Sequence, residues 1–367
     1  MKISAVTIFL IILCLVSAFP VSATAVITDD LSDRLFSDMD EQISDALDDF
    51  GITTIDSESI FNISAENIFL YFKESFSVYF SSSLKLFTKV LGVIIIAGVF
   101  TFIIDEKKYK DAINILLVPI VTVIIVEELN LCISSAMALI RLNGNFILAF
   151  VPVYAIAVAV SGNPATAITY NTIVLGFSEI ISAVLNYVFS DIIGCYFCLC
   201  IGFSVNKSIN FPRFISAVNR FVSFVLGLIS SVFASVLTVK GIFSAATDSV
   251  SAKGIRFAIG SLIPVIGSSI SEAYSTLIGS IGILKNSVAL IGIIAVMLIS
   301  TPVIIEIALF NISLNMLSFI SEFFECNELS DSLRAFASGV KIIGLVAVFE
   351  AFILIISTAV VMSIKGG

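Results

Sequence analysis

The sequence predicts an all-α polytopic membrane protein of about eight spans, with a small extracytoplasmic amphipathic helical segment behind a signal peptide. Three observations carry that prediction. Of 367 residues, 58% are hydrophobic and only 13% charged, where an ordinary soluble domain is about 25% charged. The apolar residues gather in long runs, and mean hydropathy is +1.12, so membrane spans are the natural unit to count. Charge is segregated as well: thirteen of the 28 acidic residues fall between positions 26 and 82, against Arg34 and Lys73.

The same figures exclude several function classes. A formal net charge of −9 and a pI near 4.6 argue against nucleic-acid binding, because phosphate contacts need clustered Lys and Arg. The chain has no histidine, which removes His-based triads, proton relays and metal ligation. No Walker loop, Gly-x-Ser-x-Gly elbow or His-Glu-x-x-His pattern occurs, so the common hydrolases lack their residues. No enzyme activity and no cofactor are expected.

The first element is an address. Lys2 precedes an apolar run from 3 to 16, and Ala23-Thr24-Ala25 follows Pro20, the pattern of a Sec signal peptide over residues 1–25. An uncleaved anchor is the alternative. Cleavage leaves five cysteines, of which Cys195, Cys198 and Cys200 have a metal-like or redox-like spacing. They sit in an apolar run with no acidic co-ligand, and packing is the reading preferred for them.

Residues 26–82 form an acidic extracytoplasmic segment. Within it Leu31, Leu35, Met39, Ile43 and Leu47 recur at a helical spacing with acids on the opposite face. That stripe is either a solvated helix or a docking surface for another extracytoplasmic protein. Phe69, Phe72, Phe76, Tyr79 and Phe80 then mark an interfacial helix over 68–86.

Residues 83–367 are the polytopic domain, with apolar runs at 87–104, 112–126, 146–160, 165–185, 192–205, 221–239, 287–310 and 340–363. Segment 260–284 carries Pro264, Glu272 and several glycines, and reads as a broken span or re-entrant hairpin. The basic loop 105–110 falls inside if the amino terminus is outside. Lys240, Lys253 and Arg256 then fall outside, against the positive-inside rule. Glu179, Glu306 and Glu350 are intramembrane carboxylates, as is Asp191, which with Glu179 flanks the cysteine region; they mark an ion or proton path, or acids held by the bundle. Pro119, Pro152, Pro264 and Pro302 mark breaks, and 145–153 and 256–265 are faintly alike.

Certain residues are more specific than composition. Asp248-Ser-Val-Ser-Ala-Lys253, Phe257-Ala-Ile-Gly-Ser-Leu-Ile-Pro-Val-Ile-Gly267, Ser271-Glu-Ala273, Gly279-Ser280 and Leu284-Lys-Asn286, with Phe150-Val-Pro-Val153 upstream, resemble the stage III sporulation protein AE family of endospore formers. The resemblance implies a protein of the mother-cell membrane that surrounds the forespore. It also implies membership in a multi-protein channel or secretion-like complex, with forespore-membrane partners, that supports late forespore development. The family brings no established catalytic residues. Lys253, Pro264, Gly267, Glu272 and Lys285 are therefore expected as gating or pathway-lining groups. Other membrane proteins of the complex and the lipid bilayer are the expected partners, and homo-oligomerisation stays open. A stand-alone secondary transporter or permease is the alternative function.

Overall fold

The computed structural model describes residues 29–55, 65–103, 107–205, 211–262 and 267–363, and no strand occurs among them. The signal peptide, 1–25, lies outside the described residues. Helix α1 covers 29–38, and α2 is Glu41–Asp49. The long elements are α3, Ala65–Ile103; α4, Lys107–Val160; α5, Pro164–Ala183; a π-helical stretch, Val184–Phe189; and α6, Ser190–Val205. They are followed by α7, Phe211–Leu262; α8, Gly267–Phe323; and α9, Asn327–Ser363.

The acidic segment folds back on itself. Asp40 caps α2 by accepting from the Gln42 backbone N–H. Gly51, at φ 74°, ends it in a Schellman turn whose Ile52 N–H reaches the Leu47 carbonyl at 2.9 Å. Leu31, Leu35, Met39, Ile43 and Leu47 are all buried, together with Ile52 and Ile55. The Ser32 hydroxyl accepts from the Ile55 N–H at 2.9 Å. The hairpin and its tail use the apolar stripe as their own core. Phe50 then meets Tyr71 of α3 edge-on at 5.5 Å between ring centroids, and α2 also packs on α8.

The expected spans fuse. Runs 112–126 and 146–160 lie on one uninterrupted helix of 54 residues, about 80 Å long at 1.5 Å per residue, where a hydrocarbon core is about 30 Å thick. The polar stretch between them, Glu127 to Asn145, continues the helix instead of forming a loop. Among the described residues, five helices are long and apolar enough to cross a membrane: Glu66–Phe100, Leu116–Val160, Arg213–Ala258, Ile281–Phe323 and Asn327–Ser363. The boundary expected at residue 83 falls inside α3, which joins the interfacial segment to the first run. Lys240, Lys253 and Arg256 belong to α7 itself, not to a loop. In segment 260–284, residues 260–262 close α7 and those from Gly267 onward open α8, while Pro264 lies outside the described residues. Pro119, Pro152 and Pro302 sit within continuous helices.

Helices α8 and α9 form the centre of the bundle, with α3 and α4 against α8, and α4, α6 and α7 against α9. One seam shows how closely they approach. Phe146, Phe150 and Tyr154 stack in a column along α4, at 5.2 and 5.5 Å between successive ring centroids. The Phe150 ring lies where a Cβ on Gly292 of α8 would sit, so only glycine admits it. Between α4 and α5, Gly162 at φ 88° ends the helix in another Schellman turn.

The start of α5 is held from outside its own sequence. Asn163, at its N-cap position, makes no side-chain cap. Asp248 of α7, 2% exposed, supplies the missing acceptor: it takes the Ala165 N–H at 2.8 Å, the Thr166 N–H at 2.9 Å and the Thr166 hydroxyl at 2.7 Å. One turn on, the Thr169 and Ser244 hydroxyls meet at 2.5 Å. A carboxylate at a helix amino terminus satisfies free donors and complements the dipole.

Candidate functional site

Helix α3 presents Tyr71, Ser75, Tyr79 and Ser83 at intervals of four, so they share one face. Further along, that face becomes Leu86, Val90, Ile94 and Ala97, all buried. The polar part faces α8 where Pro302 interrupts the hydrogen-bond ladder. Proline has no N–H and cannot donate to the carbonyl four residues back, which here is Leu298. The Tyr71 hydroxyl donates to that carbonyl at 2.7 Å instead.

Two cavities follow this face. The first, about 270 Å³, is lined by Tyr71, Glu74, Ser75, Val78, Tyr79 and Pro302. The second, about 260 Å³, lies between α3, α4 and α8 and is lined by Tyr79, Ser82, Ser83, Glu128, Cys132, Ser135 and Glu306, with Leu131 and Phe310. Tyr79 belongs to both. Within the second, the Ser135 hydroxyl donates to Glu306 Oε1 at 3.3 Å. Its lining holds two carboxylates and no Lys or Arg. Among the described residues no cluster of three or more Cys, Asp or Glu is placed to hold a metal ion. An oxygen-lined chamber of this kind suits water, protons or a hydrated cation.

The predicted residues scatter around this chamber. Glu306 lines it, Glu179 is exposed on α5, and Glu350 is 4% exposed on α9 with one carboxylate oxygen lacking a partner among the described residues. Asp191 is exposed at the start of α6. Lys253 and Glu272 are exposed, whereas Lys285 is 6% exposed with its Nζ 3.5 Å from the Met362 carbonyl at the end of α9. There Lys285 donates to a carbonyl of a helix terminus. Gly267 is the first residue of α8. Of Cys195, Cys198 and Cys200 only the last is buried, and none of the three forms a disulfide among the described residues, so packing accounts for Cys200 alone. Cys326 is buried in the α8–α9 turn, where desolvation and then the Glu325 carboxylate push its thiol pKa up.

Sequence reasoning did not single out Glu128 as a site residue, nor Tyr79, Ser83, Cys132 and Ser135. A signal was present: Glu128, Cys132 and Ser135 recur at helical spacing on α4, as the hydroxyl residues do on α3.

Over residues 53–365 the chain matches the profile of the family described as stage III sporulation protein AE. The chain belongs to that family. A curated relative, the stage III sporulation protein AE of Bacillus subtilis (strain 168), is 23% identical over 212 residues, which cover 56% of this chain and 53% of the relative. The match therefore spans about half the relative's length. No solved structure matches. The stage III sporulation protein AE profile takes in α3 to α9, both cavities and the Asp248 junction, and leaves α1 and α2 outside.

Proposed function

We propose that this chain is a non-enzymatic membrane subunit of a multi-protein channel or secretion-like complex that links mother cell and forespore during endospore formation. Membership in the stage III sporulation protein AE family gives the role in sporulation. In this reading the chain sits in the mother-cell membrane around the forespore, with its acidic hairpin extracytoplasmic, and is needed for late forespore development.

The observation that carries the assembly reading is α7. Of the five candidate spans it is the least buried by its own chain. It turns Phe221, Phe224, Leu228, Val239 and Phe243 outward. Grooves of about 480 and 460 Å³ flank it, against α6 on one side and α8 and α9 on the other. A face this wide accommodates lipid or neighbouring helices, and a subunit of a larger assembly needs such a face.

The test is to tag the carboxy terminus at the native locus, follow the protein through starvation, and identify by mass spectrometry what co-purifies from gently solubilised membranes. Appearance during sporulation with several small membrane proteins attached supports the subunit reading. Joint substitution of Phe221, Phe224 and Phe243 by Ala should release those partners. A protein present in growing cells, alone and stable, would instead be a stand-alone permease.

A further inference from the structure

The second cavity poses a problem of charge. Glu128 and Glu306 line one enclosed space from α4 and α8, and neither has an ion pair among the described residues. Lys89 is the basic group with a charge interaction at Glu128, but it is exposed on α3 and outside the lining. Serine and tyrosine hydroxyls cannot neutralise two carboxylates. Holding two like charges in one half-buried space is costly without a counter-charge, so the site suits a positive species that the chain supplies only in part, through Lys89.

A second observation is independent of the acids. Ser83 is 7% exposed and lines the chamber, yet its hydroxyl has no hydrogen-bond partner among the described residues. A nearly buried hydroxyl aimed into a polar space marks a ligand position. Access fits as well. The first cavity meets the chamber at Tyr79 and carries Glu74. Beside it stands the α1–α2 hairpin, whose Phe50 rests on Tyr71 and whose Asp45, Asp48 and Asp49 are exposed. Carboxylates along an approach raise the local concentration of cations.

We propose that the chamber binds a hydrated alkali cation, Na+ or K+, between Glu128 and Glu306, with the Ser83, Ser135 and Tyr79 hydroxyls completing the oxygen shell. Hard cations take oxygen ligands and keep part of their water, and about 260 Å³ holds an ion with several waters. With Lys89 acting on Glu128 from outside the lining, about one negative charge is left uncompensated, which suits a singly charged ion. This goes beyond the assembly reading and belongs to the isolated chain.

The test uses the full chain purified in lipid nanodiscs. Its unfolding midpoint is followed against NaCl and KCl, with N-methyl-D-glucamine chloride holding ionic strength constant, and retention of radioactive sodium or rubidium is measured in parallel. A saturable rise with Na+ or K+ but not with the organic cation is expected. Glu128→Gln and Glu306→Gln should each raise the half-saturating concentration by about tenfold or more, while Glu127→Gln, on an exposed neighbour, should leave it within about twofold. A flat response, an equal response to the organic cation, or wild-type saturation in both glutamine variants overturns the proposal. Should those variants fail to fold, Ser83→Ala and Ser135→Ala decide: half-saturation about threefold higher supports the site, and no change overturns it. Failure here would leave partner capture by α7 untouched, so the two readings can fail separately.

Discussion

Two regions of this bundle place acidic side chains between helices, and they do so in opposite ways. At the junction of α5 and α7, Asp248 accepts three hydrogen bonds, all from the start of α5. In the chamber between α3, α4 and α8, Glu306 receives one long contact from Ser135, and Glu128 shares the same space. A carboxylate that accepts three hydrogen bonds from one helix terminus is architecture, with little capacity left for a ligand. A carboxylate that faces a cavity with spare lone pairs retains coordinating capacity. The difference is one of donors, since both sites lie within apolar spans.

That contrast can be broken or sharpened by substitution, with unfolding in a membrane mimetic as the common measurement. The largest effect is expected for Asp248→Ala, which orphans two backbone N–H groups and should lower stability by about 3–4 kcal/mol; Asp248→Asn should recover part of that loss. A loss under about 1 kcal/mol would mean that the junction is not the fixed point argued for it. Next comes Gly292→Val, which drives a side chain into the Phe150 ring on the seam between α4 and α8. About 2–3 kcal/mol should be lost, and Phe150→Leu in the same chain should restore some of it. Full tolerance of the valine would show that the seam between α4 and α8 yields.

Tyr71→Phe should cost about 1–2 kcal/mol, because the Leu298 carbonyl loses the donor that stands in for the residue at Pro302. The smallest effect is expected for Glu306→Gln in the absence of alkali cation. The amide still accepts from Ser135, and the charge opposite Glu128 is gone, so stability should change by less than about 1 kcal/mol. If Glu306→Gln proves as damaging as Asp248→Ala, the chamber is architecture too, and the comparison collapses.

How much of this was legible depended on the range of the signal. The helical class, the membrane character and the amphipathic spacing of Leu31 to Leu47 are local properties, and all were readable from composition and period. So was the family, through the block from Asp248 to Asn286. That runs 112–126 and 146–160 share one helix was not legible, because Glu127, Asn130, Arg141 and Asn145 look like a loop between two apolar runs, whereas the stretch is helical and its helix packs against α3, α8 and α9. Asp248 was noticed as part of a resemblance, but its role needed the start of α5 beside it. The fate of the acidic hairpin's stripe was open for a similar reason: an apolar helix face is satisfied equally by its own chain or by a partner.

The sequence by itself therefore determined that the chain is helical, seated in membrane, acid-rich at its amino-terminal end and a member of its family, because periodicity, composition and motif are written along the chain. Only the tertiary structure decided which acids are spent on helix ends and which face a cavity, and that Glu128 and Glu306 share one. Hydropathy scores lipid-facing and core-facing apolar residues alike, and a donor from a distant helix leaves no trace in the residues next to the acceptor.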